Sequence, residues 1–333
     1  MMRSGKTGLY LTITIWLVLG IVGFAGQDWL LAQAATYFAY GIFAMGLSLI
    51  WGQAGVLSFG QAIFFGAGAY AFSLVTLGML PGLGTSFVLA LLLAVVVPSL
   101  LAAVVAWVTF AGRGLTGAHF AIVTLCAAAV AEIAVTRSEF LGGYNGLFGI
   151  PPIEIGGEII SLKAQYFVML AVALVIFAGL SLLLRSPYAT LLQAIRENES
   201  RVAHLGYDTR WLKSATFIMS GALSGLAGAL YATQFGFVSP TLVGFGLSTQ
   251  VLIWVAVGGR SVLMAAFLGA LLVPGAENVL SSKLGTIWQL LVGALFVLAV
   301  VVSQNGVLGK VLRLPTPARL RPNGEDVGGR TNG

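Results

Sequence analysis

Residues 186–213 gather seven charged side chains and one of the two histidines into a single polar stretch between apolar runs. They read Ser186-Pro-Tyr-Ala-Thr-Leu-Leu-Gln-Ala-Ile-Arg-Glu-Asn-Glu-Ser-Arg-Val-Ala-His-Leu-Gly-Tyr-Asp-Thr-Arg-Trp-Leu-Lys213. Arg196, Glu197, Asn198 and Glu199 sit side by side, a set suited to polar docking. Pro187 can open a helix, because its missing N–H costs nothing in the first turn. Leu191, Leu192 and Ile195 then form a stripe at helical spacing, and a second short helix takes Val202, Ala203 and Leu205. Gly206 fits a helix stop. Two such helices on a membrane face would offer a partner both charge and an apolar ridge. The stretch is longer than the usual connection between packed helices.

A second group is polar but uncharged. Gln53, Ser58 and Gln61 lie in a glycine-rich stretch, and Gln250 lies in a later apolar segment. Broken, polar-bearing membrane segments commonly line solute paths. Gly66, Gly68 and Ala69 read as helix-packing residues, since small side chains let helices approach closely. Glu132 and Glu277 fall near the ends of apolar segments, where an acidic group is less costly than at mid-bilayer. Asn145, followed by Gly146, reads as a turn. The two histidines, His119 and His204, are far apart, and the one cysteine, Cys126, reads as a small buried packing residue. These residues supply no nucleophile–base pair and no CxxC pair, so neither a membrane-embedded enzyme nor a metal site is expected.

The elements that position these groups follow from composition. Hydrophobic residues make up 58% of the 333 positions and charged residues 8%. A soluble domain is about 25% charged, so this chain cannot cover a water-facing surface. Its apolar runs reach the roughly 18–20 residues that cross a bilayer. They are continuous rather than alternating, which selects helices over a barrel. Ten segments are expected, at about 9–26, 33–51, 56–78, 85–110, 117–136, 164–184, 214–234, 246–258, 261–280 and 285–303. The glycine-rich breaks Gly52-Gln53-Ala54-Gly55 and Gly258-Gly259-Arg260 are tight turns or discontinuities in re-entrant segments. The first segment, behind Arg3 and Lys6, reads as a retained span.

The net charge of +6 follows the positive-inside rule rather than nucleic-acid binding. Arg3 and Lys6, the cluster from Arg185 to Lys213, and Lys310 to Arg330 belong on the cytoplasmic side. Ten spans satisfy that placement and put both termini in the cytoplasm. The loop 137–163, with Arg137 and Lys163 against Glu139, Glu154 and Glu158, then lies outside. Residues 1–314 form the membrane domain. The tail 315–333, rich in Pro, Gly and Arg, is expected to be disordered. Leu49-Ile50-Trp51-Gly52 and Leu252-Ile253-Trp254-Val255 give a faint echo between two halves.

The phrase Leu192-Gln-Ala-Ile-Arg-Glu-Asn-Glu199, followed by Leu205-Gly206-Tyr207, resembles the cytoplasmic coupling loop of ABC importer permeases for branched-chain amino acids. That hydrophobic amino-acid uptake family also includes urea and short-amide importers. Residues 46–70, Gly142-Gly-Tyr-Asn-Gly-Leu147, Phe217–Tyr231 with Val238-Ser239-Pro240, and Val255-Ala-Val-Gly-Gly-Arg260 resemble further family stretches, in order. The resemblance implies an all-α, polytopic, type II ABC importer-like bundle in a bacterial-type inner membrane. It implies coupling to an ATPase through Arg196, Glu197, Asn198, Glu199, Ala203, Leu205 and Gly206. Gln53, Ser58, Gln61 and Gln250 become candidates for the translocation path. Asn145 and Gly146 become candidates for contact with an extracytoplasmic substrate-binding protein. The implied partners are a paralogous second permease, two ATP-binding cassette subunits, that binding protein and membrane lipid. The family more often has His at Gln61 and Glu at Gln250, and glutamine cannot titrate near neutrality.

The chain has no Gly-x-x-x-x-Gly-Lys-[Ser/Thr] phosphate loop. It therefore needs no cofactor of its own, and ATP would bind the partner subunits. The reading is a permease of an ATP-driven importer for branched-chain or other hydrophobic amino acids. Urea or a short amide is the alternative cargo, because Leu49-Ile-Trp-Gly52 and Ser58-Phe-Gly-Gln61 also resemble that branch. A proton- or sodium-coupled transporter would want acidic or His residues at mid-span, and these are scarce.

Overall fold

The computed structural model describes residues 4–82, 84–110, 117–155 and 158–284, with 290, 293–294 and 309 beyond them. The helices are α1 (Ser4–Ala25), α2 (Asp28–Leu47), α3 (Gln61–Thr76), α4 (Phe87–Phe110), α5 (Ala118–Arg137), α6 (Leu162–Leu183), α7 (Pro187–His204), α8 (Thr209–Phe235), α9 (Phe245–Gly258) and α10 (Leu263–Leu284). Nine of the ten expected segments correspond to helices. The tenth, 285–303, lies almost wholly outside the described residues, as does the tail 315–333.

Seven helical stretches among the described residues are long and apolar enough to cross a membrane. Two apolar helices are shorter. α3 has 16 residues and α9 has 14. At about 1.5 Å per residue neither reaches the roughly 30 Å of a hydrocarbon core. Each is reached through non-helical chain. Before α3, α2 runs into a π-helical turn at Ser48–Gln53, and residues 54–60 are irregular. Before α9, residues 236–244 pass through a short strand and a 3₁₀ turn. The discontinuity in the second half therefore precedes α9. The break at Gly258-Gly259-Arg260 is a tight turn into α10, with Gly259 at φ +141°.

The centre of the bundle is α2, α3, α4 and α8. Glycine makes it close. A methyl group added at Gly225 would overlap Pro98 and the Ala94 carbonyl, and one at Gly228 would overlap the Phe65 carbonyl. Small residues at these positions bring helix backbones into contact, where dispersion and not hydrophobic transfer holds helices in lipid. Phe38, Phe43, Phe64, Phe65 and Phe217 fill the remaining space. α1 sits outside this core against α6, tied by the Tyr166 hydroxyl donating to the Leu19 carbonyl at 2.6 Å.

The bundle has two distinct ends. One gathers the π-helical turn, residues 54–60, α7 and the α9–α10 turn. The other gathers the α5–α6 and α8–α9 connections. Here β1 (Leu147–Phe148) pairs antiparallel with β4 (Phe237–Val238), and β2 (Glu154–Ile155) pairs with β3 (Glu158–Ile159). The sequence reading contained no strands.

Two expectations are corrected. Cys126 is exposed, not buried. α5 turns Phe120, Thr124 and Ala128 inward at four-residue spacing, which leaves Cys126 on the outer face. The apolar ridge of residues 187–205 is also not on offer to a partner. Leu192, Ile195 and Val202 are buried against the bundle. Of that ridge, Ala203 and Leu205, the latter 75% exposed, are left on the surface.

Candidate functional site

α7 is two helical pieces joined at Asn198, whose φ of −160° and ψ of 96° leave the helical region. The Asn198 side chain caps the second piece, its Oδ1 accepting from the Arg201 N–H at 3.0 Å. The chain then stops at Gly206, with φ +89°, and its N–H donates to the Ala203 carbonyl at 3.0 Å. This left-handed position suits glycine. Beyond the kink, Ala203, Leu205, Gly206 and Tyr207 are exposed, as are Arg196, Glu197 and Asn198. Trp211, 64% exposed, extends this surface onto the start of α8.

Glu199 behaves differently from its neighbours. Its carboxylate pairs with Lys213 of α8 and accepts from the Thr209 hydroxyl at 3.1 Å. The Lys213 side chain is 4% exposed, against 34% for Glu199, and its ammonium lies 5.1 Å from the centre of the Phe110 ring. Arg196 also points into the bundle, and one of its Nη atoms donates to the Gly52 carbonyl. Gln193 donates to Gln53 Oε1 at 3.2 Å, and Gln53 donates to the Ser261 carbonyl at 3.4 Å. Ser48 reaches the Arg260 carbonyl at 2.9 Å. Polar bonds thus join α7, the π-helical turn and the α9–α10 turn into one assembly.

Gln53, Ser58 and Gln61 are all buried. Gln61 opens α3 and donates to the hydroxyls of Ser220 and Ser224, each at 2.8 Å. Ser220 donates to the Gly46 carbonyl at 2.6 Å, and Ser224 donates to the Ser220 carbonyl at 2.8 Å. The Gln61 carbonyl oxygen is buried and has no partner among the described residues. The last irregular residues and the first turn of α3 are held by side chains. Thr124 accepts from the Phe59 N–H at 3.1 Å, and Ser248 accepts from the Ala62 N–H at 3.0 Å. These bonds satisfy backbone groups that a break inside lipid would otherwise leave exposed.

Gln250 does not join that network. It lies exposed on α9, apart from the three buried residues. Glu132 is half-buried, and its carboxylate fills the space beside Gly244 at the start of α9. Glu277 is half-buried near the far end of α10. His119 and His204 are exposed. No group of three His, Cys, Asp or Glu residues that could hold a metal comes together among the described residues.

At the other end, the candidate pair splits. Asn145 is exposed beside Tyr144, which is 86% exposed. Gly146 is buried against Val238 and Ser239 with φ +76°, where any side chain would strike the Val238 carbonyl. Asn145 stands on the surface, while Gly146 shapes the loop.

The sequence reading missed Lys213, Arg260, Trp51 and the serines of α8 as site residues. Ser220, Ser224 and Gly228 recur every four residues, a periodicity that marks one helix face. Arg260 follows two glycines directly after an apolar helix. Its guanidinium lies 5.5 Å from the centre of the Trp51 ring.

A family profile described as "Branched-chain amino acid transport system / permease component" matches residues 30–300. The chain is 30% identical over 294 residues to the LivM permease protein of a high-affinity branched-chain amino acid transport system of Escherichia coli, covering 81% of this chain and 67% of LivM. It is 25% identical over 289 residues to the LivH permease protein of Salmonella typhimurium, covering 81% and 91% of the two chains. It is 24% identical over 287 residues to the BraD permease protein of Pseudomonas aeruginosa, covering 81% and 92%. No solved structure gives a significant match. The chain belongs to the family of permease components of branched-chain amino acid transport systems.

Proposed function

We propose that this chain is the membrane permease subunit of an ATP-driven importer of branched-chain and related hydrophobic amino acids. The observation that carries the proposal is α7. It is tied into the bundle by Arg196 and Glu199, yet ends in an exposed tip at Ala203, Leu205 and Gly206. An ATP-binding subunit would dock on that tip and on Glu197 and Asn198. Arg196 and Glu199 would pass its movement to the π-helical turn and to α8. Similarity to both LivM and LivH, two permease proteins of the Escherichia coli system, supports pairing with a paralogous permease. Gln250, exposed on this chain, would then face the shared path, and Asn145 would meet the extracytoplasmic binding protein. The named relatives favour branched-chain amino acids over urea.

In this reading the protein is multi-pass in the inner membrane, in a type II importer arrangement, with α7 and both termini in the cytoplasm. The α7 end carries Arg185, Arg196, Arg201, Arg210, Lys213 and Arg260, as the positive-inside rule requires.

The test is radiolabelled leucine uptake into vesicles holding the chain with its ATP-binding and receptor partners. Uptake should require ATP, be sensitive to vanadate, and disappear in Leu205→Asp while the variant still inserts and ATP hydrolysis continues. Urea uptake without leucine uptake would overturn the cargo. Uptake driven by a proton gradient without ATP would overturn the class.

A further inference from the structure

A cavity of about 360 Å³ opens between α7 and the irregular residues before α3. That is near the lower bound, about 300 Å³, of pockets that take small molecules. Its walls have two characters. Arg196, Arg260, Lys213 and Glu199 form a charged side, and Val56, Phe120 and Ile195 form part of an apolar side.

Among the described residues the charged side has three cations to one anion. Lys213 and Glu199 neutralise each other across their ion pair. Arg196 donates to a neutral carbonyl, that of Gly52. The Arg260 Nε atom is buried and has no hydrogen-bond partner among the described residues. Burial, and after it the nearby Arg196 charge, lowers the Arg260 pKa from its usual range. The two guanidiniums on one wall leave positive charge there that a carboxylate would match. The Trp51 ring under Arg260 helps fix its plane.

We propose that this cavity is an inward-side substrate site, holding an α-amino acid by its carboxylate on Arg260 and Arg196 and by its side chain on Val56, Phe120 and Ile195. The proposal rests on the amino-acid transport reading above. Inorganic phosphate or a lipid headgroup could answer the same positive charge. Neither would fill the apolar wall, which is why the assignment goes to a carboxylate that carries an apolar group. The cavity shares α7 with the docking tip, so a displacement of α7 would alter the cavity's shape. Release of the solute would thereby be tied to the motor.

The test uses the full-length chain in lipid nanodiscs and radiolabelled leucine. Binding should be saturable. Leucinamide, which lacks the carboxylate, should compete about tenfold more weakly or worse, the cost of losing a hydrogen bond between charged groups. Inorganic phosphate and anionic lipid in the disc should not displace leucine. Arg260→Gln should weaken binding by about tenfold or more, while Arg185→Gln, outside the cavity, should not. Equal competition by leucinamide, displacement by phosphate or anionic lipid, or full affinity in a folded Arg260→Gln would overturn the proposal. The leucinamide arm needs no variant and stands even if Arg260→Gln misfolds. Leucine uptake without saturable binding would overturn this site alone. Absence of leucine uptake by the assembled transporter would overturn the transport reading and this site with it.

Discussion

Replacing Glu199 with glutamine tests the link between α7 and α8. The change keeps the shape and a hydrogen-bond acceptor for Thr209 but removes the charge that Lys213 faces. Breaking a fully buried pair by removing one partner costs about 3–5 kcal/mol. Lys213 is buried, but Glu199 is a third exposed, so water already weakens the pair. The Phe110 ring beneath the ammonium recovers up to about 1 kcal/mol. About 2 kcal/mol of destabilisation remains. At roughly 2 °C per kcal/mol, the low end for larger domains, the midpoint of thermal unfolding in nanodiscs should fall by about 4 °C. Lys213→Met should cost less, because Glu199 can turn to water when its partner is gone. The double variant should recover most of the loss, since no buried charge is left unpaired. The readout is intrinsic tryptophan fluorescence on heating. A neutral Glu199→Gln, or a double variant no more stable than Glu199→Gln alone, would refute the claim that Lys213 depends on this carboxylate.

Three further outcomes are expected. Asn198→Ala removes the cap on the second piece of α7, at a cost of about 1 kcal/mol, and should raise hydrogen exchange from Arg201 to Leu205 without changing exchange in α8. Gly225→Val would overlap Pro98 and the Ala94 carbonyl, so it should cost about 3 kcal/mol or more and give aggregated protein on size-exclusion chromatography; a monodisperse peak of normal yield would contradict the α4–α8 packing. Cys126, on the outer face near the middle of α5, should react with N-ethylmaleimide in detergent but resist a charged methanethiosulfonate added to either side of intact membranes.

Most of the membrane architecture was legible because lipid imposes one rule on every segment. A span must be long, apolar and helical, so runs such as Phe87–Phe110 announce themselves. The helical stop at Gly206 and the break near Asn198 were legible from local chemistry. The direction in which side chains turn was not. Residues 187–205 carry an apolar stripe that could face a partner or the bundle, and only packing decides that Leu192 and Ile195 turn inward. Cys126 failed for the same reason, since an apolar helix in lipid has no polar face to reveal its orientation. The glycine-rich stretch 52–55 was recognised as a break, but the irregular chain runs on to residue 60, which the apolar pattern had assigned to a span. Its ties to Arg196, Arg260 and α8 span most of the chain, and no local pattern encodes contacts at that distance. The network of Gln61 with Ser220 and Ser224 was half visible: the glutamine drew attention, while the serines passed as small packing residues.

The ribbon between β1 and β4 bears on how the protein is made. Leu147 pairs with Val238, and three helices, α6, α7 and α8, separate them in the chain. A ribosome delivers the chain from its N-terminus, so β1 emerges early and must wait unpaired until α8 has been inserted. Closing so large a loop is entropically slow compared with pairing neighbouring helices. The ribbon therefore acts as a late latch on assembly. Until it closes, the α5–α6 and α8–α9 connections are not joined to each other, and the short helix α9 lacks this support for the connection that leads into it. Variants that weaken the latch should appear first as a defect in biogenesis, with nascent protein cleared by quality control, rather than as a defect in transport by the molecules that mature.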